Sequence, residues 1–153
     1  MSREDWLRAC EQAYPKVYRS LIAMGAAPAD AADALQDAWE RALKQQTTVS
    51  RPDGWLFVVA LRRWRTARWR NRLFVTLGDR SLGEVPPPGV DAVTLISELR
   101  RLPRRQREVI VARYIVGLSQ HETADSLGIA VGTVAATSAQ ATKKLRERLD
   151  ATD

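Results

Sequence analysis

Residues 102–134, LPRRQREVIVARYIVGLSQHETADSLGIAVGTV, decide the fold of the C-terminal part of this 153-residue chain. Ser119 precedes a short helical pattern and Glu122 follows three residues later, which is the arrangement of a helix capping box. Gly128 suits the left-handed conformation of a tight turn. The stretch therefore predicts a short helix, a glycine turn and a longer helix over about 131–149, which is the order of a helix-turn-helix motif.

The same stretch resembles region 4 of bacterial RNA polymerase sigma factors of the extracytoplasmic-function (ECF) group. In that family, region 4 reads the upstream promoter element, and the pattern places LP, QRE, RY, GLS and GTV at fixed offsets. The chain matches the pattern at Leu102, Pro103, Gln106, Arg107, Glu108, Val109, Arg113, Tyr114, Gly117, Leu118, Ser119, Glu122, Ala124, Leu127, Gly128, Gly132, Thr133 and Val134. The resemblance implies a domain that binds upstream promoter DNA.

The predicted recognition helix departs from the family in its charge. Family members usually follow GTV with basic residues, whereas residues 135–142 read AATSAQAT. Because phosphate neutralisation supplies much of the affinity for DNA, we expect weak or atypical upstream recognition. The resemblance implies that Gly132 and Thr133 offer backbone donors to phosphate and that Thr137, Ser138 and Gln140 face the groove. Lys143 and Lys144 are the further residues expected to bind upstream DNA.

The stretch GDRSLGEVPPPGV, residues 78–90, separates two helical halves. It has three consecutive prolines and no apolar periodicity, which is typical of a linker. Both flanking segments are rich in alanine, leucine and arginine, which favour helices. The sequence therefore predicts an all-α chain of two small helical domains, a bundle of three or four helices over 1–75 and a helix-turn-helix domain over 91–153, joined by a linker over 76–90.

Three helices are predicted in the N-terminal half. The first covers 3–24, with Pro15 starting or kinking a second segment. The second begins at Pro28 and runs to about 45, and the third begins at Pro52 and runs to about 74. The apolar side of the second helix is predicted to consist of Ala31, Leu35, Ala38, Trp39 and Leu43.

The second of these helices carries an acidic face. Residues 28–43, PADAADALQDAWERAL, resemble the helix of sigma region 2 that docks on the largest subunit of the polymerase. The resemblance implies that the core polymerase is bound by Asp33, Gln36, Asp37 and Arg41. Acids near the dipole-positive end of a helix also fit an ordinary solvated face, and that alternative stays open at this point.

The third helix is basic and aromatic. Residues 51–70, RPDGWLFVVALRRWRTARWR, resemble the part of region 2 that melts promoter DNA and captures bases of the −10 element. Arginines attract the nucleic-acid backbone, and tryptophans can stack on unpaired bases. The resemblance implies −10 contacts from Arg62, Arg63, Arg65, Arg68 and Trp69, with Trp64 in the core. The alternative is a basic amphipathic helix that binds acidic lipid.

Composition limits the remaining function classes. The net charge of +6 favours a polyanionic partner, and no apolar run approaches the length of a membrane span. The N-terminus lacks a signal-peptide layout, and one cysteine with one histidine cannot form an internal disulfide or the usual zinc site. We therefore expect a cytoplasmic, non-enzymatic protein without cofactor or metal, in which Cys10 is a core residue and His121 a surface residue.

The resemblance as a whole implies a transcription initiation factor that binds core RNA polymerase, directs it to specific promoters and helps to open the −10 region. Its partners would be core RNA polymerase, promoter DNA and, as in many family members, an anti-sigma protein. Two alternatives stay open. One is a degenerate sigma paralogue that acts as an interaction protein, which the uncharged helix over 131–142 favours. The other is a free-standing helix-turn-helix regulator.

Overall fold

The structure is a computed structural model, and it describes residues 2–44, 51–74 and 90–151, with side chains for 2–44, 51–68 and 94–151. These ranges are helical and contain no strand, which confirms the all-α prediction. The helices are α1 (Arg3–Met24), α2 (Pro28–Lys44), α3 (Pro52–Phe74), α4 (Val90–Arg101), α5 (Arg104–Ile110) with a π-helical segment after it (Val111–Val116), α6 (Gln120–Leu127) and α7 (Val131–Ala151).

Backbone contacts divide the chain into two compact units. One consists of Met1–Ile22 with Ala26–Val85, and the other of Ala23–Gly25 with Pro86–Asp153. The residues predicted as a linker lie outside the described ranges, except Val90, at which α4 begins.

Helix α1 is one continuous element, although Pro15 lies inside it. The sequence predicted that Pro15 starts or kinks a second segment, because proline removes a backbone donor and costs about 3 kcal/mol inside a helix. Buried side chains continue at helical spacing on both sides of it, from Trp6 and Cys10 to Val17 and Leu21. Burial of this face stabilises α1 enough to hold the proline within the helix.

The core of the N-terminal unit forms where α2 packs on α3. Four alanines and a leucine of α2 are buried there: Ala31, Ala34, Leu35, Ala38 and Ala42. Small side chains allow close approach of the large buried residues of α3, which are Leu56, Phe57, Leu61 and Trp64. The prediction that Leu43 belongs to the apolar side was wrong, since Leu43 is 47% exposed and Ala42 is buried instead.

Asp53, at the start of α3, links that helix to α1. Its carboxylate accepts hydrogen bonds from Lys16 Nζ at 2.8 Å, from Arg51 at 3.1 Å and from the backbone N–H of Gly54 at 2.9 Å. Burial alone would raise the pKa of Asp53, but the hydrogen bonds from Arg51, Lys16 and Gly54 outweigh it and hold the pKa well below the usual 3.8. The charged carboxylate therefore stabilises the N-terminal unit.

We expect Asp53→Asn to lower the free energy of unfolding at pH 7 by about 1.5–3 kcal/mol, the range for hydrogen bonds to a charged group. A depressed native pKa means that this stabilisation is present above about pH 4 and is lost on acidification. Unfolding by urea from pH 7 to pH 2 checks this, with the exposed Asp5→Asn as the control. An equal loss of unfolding free energy between pH 7 and pH 2 in wild type and Asp53→Asn would contradict the prediction.

In the C-terminal unit, a capping box and two left-handed glycines set the helix boundaries. The hydroxyl of Ser119 accepts a hydrogen bond from the backbone N–H of Glu122 at 3.0 Å, and the Glu122 carboxylate accepts one from the N–H of Ser119 at 2.9 Å. Gly117 ends the π-helical segment at φ 87°, and Gly128 ends α6 at φ 68°. The predicted helix, turn and longer helix are thus confirmed.

Two charged residues of the QRE motif are buried or partly buried in this unit. Glu108 is only 1% exposed and accepts hydrogen bonds from Arg104 at 2.8 Å and Arg105 at 3.3 Å. Arg107 donates to the carbonyls at the end of α4, those of Leu99, Arg100 and Leu102, at 2.9–3.1 Å. These last carbonyls of a helix have no partner within it, so Arg107 both caps α4 and holds α5 against it.

Thr123 is fully buried, and its hydroxyl has no hydrogen-bond partner among the described residues. A buried hydroxyl without a partner costs about 1–3 kcal/mol. We expect Thr123→Val to raise the free energy of unfolding of the C-terminal unit by about 1 kcal/mol, because a methyl group replaces the hydroxyl. Thermal unfolding checks this against Thr133→Val, an exposed site on α7 where little change is expected. A lower melting temperature for Thr123→Val would refute the account.

Candidate functional site

The acidic residues of α2 lie beside α3 and line a cleft with it. Asp30, Asp33 and Asp37 form one wall, and Arg63 and Thr66 are among the residues of the other. Asp33 and Gln36 are exposed, Asp37 is partly buried, and Arg41 is exposed one turn further along α2. The predicted docking residues therefore share the outer side of α2, as their spacing predicts.

An ion pair joins the acidic and basic helices. Arg63 Nε donates to Asp37 Oδ2 at 2.6 Å, and both side chains remain partly exposed. The resemblance implies that Asp37 belongs to the polymerase-docking residues and Arg63 to the DNA-binding residues. These two residues, 26 apart in the chain, are brought together where α2 packs on α3.

The other arginines of α3 differ in exposure. Arg62 and Arg68 are exposed, whereas Arg65 is partly buried. Trp64 is 6% exposed, as predicted for a core residue, and the Arg68 guanidinium lies 5.4 Å from its ring centre. The side chain of Trp69 lies outside the described residues. Arg62 and Arg68 are therefore the described cations of α3 best placed to attract a nucleic-acid backbone.

The Asp37–Arg63 pair is expected to contribute little to folding, because exposed ion pairs are typically worth about 0–1 kcal/mol. A double-mutant cycle with Asp37→Asn and Arg63→Gln should give a coupling free energy of less than about 1 kcal/mol in urea unfolding. Variants at either position should then be folded and usable in binding experiments. A coupling above about 2 kcal/mol would show that the pair is a structural element of the unit.

Helix α7 presents an almost uncharged surface over its first three turns. Gly132, Thr133, Ala136 and Gln140 are exposed, Lys143 is exposed further along, and Lys144 is partly buried. Thr137 and Ser138 are only 9% and 7% exposed, so the prediction that they face the groove was wrong. Helical periodicity explains the correction, since both positions lie on the side of α7 that carries the buried Val134 and Ala141.

Tyr114, which the sequence matches to the region 4 pattern without a role of its own, lies beside α7. It is 62% exposed, its hydroxyl lies 3.4 Å from Ser138 Oγ, and the Arg113 guanidinium lies 5.7 Å from its ring centre. The hydrogen bond with Ser138 lowers the pKa of Tyr114, and the Arg113 charge adds to this against the opposing effect of burial. Tyr114 lies in the π-helical segment Val111–Val116, in which Val111, Ala112 and Val116 are buried.

Other kinds of site have little support in the described part of the chain. Cys10 is fully buried beside Trp6 and Ala42, and burial raises the pKa of its thiol to about 11, so it is an unreactive core residue. His121 is exposed. Among the described residues, no cluster of histidine, cysteine or acidic side chains could hold a metal ion. Within the same ranges, no helix has the length and apolarity needed to cross a bilayer.

Similarity to known proteins extends over both units of the chain. The family "Sigma-70, region 4" matches residues 99–147. The chain is 33% identical to the RNA polymerase sigma-E factor of Streptomyces coelicolor, over 98% of this chain and 87% of that protein. It is 39% identical to the ECF RNA polymerase sigma factor SigD of Mycobacterium tuberculosis, over 39% of this chain and 28% of that protein.

Two solved structures have a similar fold. One is the sigma factor RpoE in complex with the anti-sigma factor NepR from Bartonella quintana, with a TM-score of 0.80 and 22% identity over 96% of this chain and 98% of that chain. The other is CnrH in complex with the cytosolic domain of CnrY, with a TM-score of 0.63 and 25% identity over 96% and 98% of the two chains.

Proposed function

The chain belongs to the ECF group of the sigma-70 family, and we propose that it acts as a transcription initiation factor that binds core RNA polymerase, directs it to specific promoters and helps to open the −10 region. The observation that carries this function is the alignment with a named sigma factor over nearly the whole of both chains. Because that alignment includes both units, the proposal covers polymerase binding as well as DNA reading.

Each segment has its own role in this proposal. Residues 1–75 form the domain that binds core polymerase and the −10 element, 76–90 form the linker, and 91–153 form the domain that binds the upstream element. RNA synthesis is carried out by the polymerase, so we assign no catalytic role to the chain. A protein that works on bacterial RNA polymerase acts in the cytoplasm. An anti-sigma protein is a candidate partner, since the sigma factor RpoE, which has a similar fold, was solved in complex with the anti-sigma factor NepR.

The polymerase would be bound through the outer side of α2. Asp33, Gln36 and Arg41 are exposed there, and Asp37 keeps part of its carboxylate accessible beside Arg63. Because charge complementarity steers and orients protein association, this acidic surface is suited to a basic patch on the partner. Arg63 is adjacent to this surface as well as to the basic side of α3, so it would take part in both contacts.

The −10 strand would be bound by Arg62, Arg65, Arg68 and Trp69 with Arg63. The exposed Arg62 and Arg68 provide attraction for phosphate, and the backbone of α3 extends through the position of Trp69 to Phe74. Upstream DNA would be bound at α7 by Gly132, Thr133, Gln140, Lys143 and Lys144. The burial of Thr137 and Ser138 removes them from this set.

The two alternative functions differ from the proposal in measurable ways. A free-standing regulator needs a self-sufficient DNA surface, and the uncharged start of α7 does not provide one. A degenerate paralogue would bind the polymerase but would not select promoters. The named relatives favour the full initiation factor over both.

We expect Asp37→Lys to weaken binding to core polymerase by about tenfold or more, because it reverses the charge of the docking surface. The swapped pair Asp37→Lys with Arg63→Glu restores the ion pair within the protein, so it separates docking from a local effect. Asp5→Lys is the matched control, since Asp5 is also an exposed acid paired with an arginine on α1.

Binding to purified core polymerase by fluorescence anisotropy distinguishes the outcomes. Loss of binding in both Asp37 variants, with Asp5→Lys unchanged, is the expected result. Recovery in the swapped pair would show that the effect of Asp37→Lys is internal to the N-terminal unit. If wild type itself does not bind at micromolar concentration, the proposed function is wrong.

A further inference from the structure

The exposed surface of α7 restricts which bases the C-terminal unit can read. Ala135, Ala136 and Ala139 expose methyl groups, and Gln140 exposes an amide. Thr137 and Ser138, which were predicted to contact bases in the groove, are buried. Over the first three turns of α7, Gln140 is therefore the exposed amide, and its planar group carries both a hydrogen-bond donor and an acceptor.

The spacing along α7 places these groups within reach of base edges. With a rise of about 1.5 Å per residue, Ala136 lies about 6 Å and Gln140 about 12 Å beyond Gly132 along the helix axis, which fits the major-groove width of about 12 Å. Ala136 and Gln140 are four residues apart and so lie on one side of the helix. Lys143 lies about 16 Å from Gly132, beyond this width, where phosphates run.

The base chemistry of these groups is selective. An exposed glutamine can form two hydrogen bonds with the N6 and N7 atoms of adenine, and alanine methyl groups pack against the C5-methyl of thymine. Guanine is most commonly read by arginine or lysine, and neither occurs in residues 131–142. Among the groups exposed on α7, the Gln140 amide and the alanine methyl groups favour A·T pairs, whereas the Thr133 hydroxyl can contact either kind of pair.

We infer that the C-terminal unit reads an A·T-rich upstream element, in which Gln140 recognises an adenine and Ala136 contacts the methyl group of a thymine. The inference rests on the proposed function and adds the base class and the specificity-determining residue. Lys143 and the backbone N–H groups at the start of α7 hold phosphates and contribute no base preference.

The test uses the full chain assembled with core polymerase. Holoenzyme is used to select promoters from a duplex library randomised over the upstream and −10 elements, and open-complex formation is measured on the selected sequences. We expect enrichment of A·T pairs in the upstream element with one strongly preferred adenine. Gln140→Ala should reduce that preference by about fivefold to a hundredfold, the range for a bidentate base contact.

A control variant tests whether the base preference depends on Gln140 itself, and a modified template tests the contact of Ala136. Gln120→Ala removes another exposed glutamine of the same unit, on α6, and should leave the base preference unchanged. Replacing thymine by uracil in the selected element removes only the methyl group and leaves the protein unaltered. Loss of one methyl contact should weaken open-complex formation by about threefold to fourfold.

The outcomes separate the inference from the function on which it rests. A G·C-rich element, no base preference, or a preference that Gln140→Ala leaves unchanged would overturn the inference while the holoenzyme still opens promoters. Failure to bind core polymerase would instead overturn the proposed function. Equal activity on thymine and uracil templates would overturn the role of Ala136.

Discussion

The packing of α7 against the other helices holds the C-terminal unit together and determines which side of α7 remains exposed. This helix contacts α4, α5 and α6, and it does so through one face that carries Val134, Thr137, Ser138 and Ala141. Side chains on this face pack against neighbouring helices, so they are not accessible to a ligand. What α7 offers to DNA is therefore the remainder, which consists of alanines, a threonine and Gln140 before the first lysine.

The rest of the C-terminal unit keeps α7 in place through local polar interactions. Arg107 binds the carbonyls that end α4, and the capping box of Ser119 and Glu122 begins α6. The glycine at 128 then reverses the chain with a positive φ that other residues rarely adopt. Because these interactions do not involve the exposed side of α7, that side can change its chemistry while the fold is retained.

The N-terminal unit shows how packing brings together surfaces that are separate in the chain. The alanines of α2 allow close approach of α3, and this approach brings Arg63 to Asp37. Polymerase docking and DNA binding are thus proposed for adjacent surfaces that share one ion pair. Since an exposed pair contributes little to stability, a partner could compete for either side chain at low energetic cost.

The helical class, helix ends close to those observed, the capping box and the family are predictable from the sequence, because they depend on local spacing and on motifs at fixed offsets. The buried positions of Trp64 and Cys10 were also predictable from helical periodicity. The tertiary structure was needed to show that Leu43 is exposed, that α1 continues through Pro15 and that Asp37 pairs with Arg63. Each of these depends on the direction from which a neighbouring helix approaches, and residues distant in the chain set that direction.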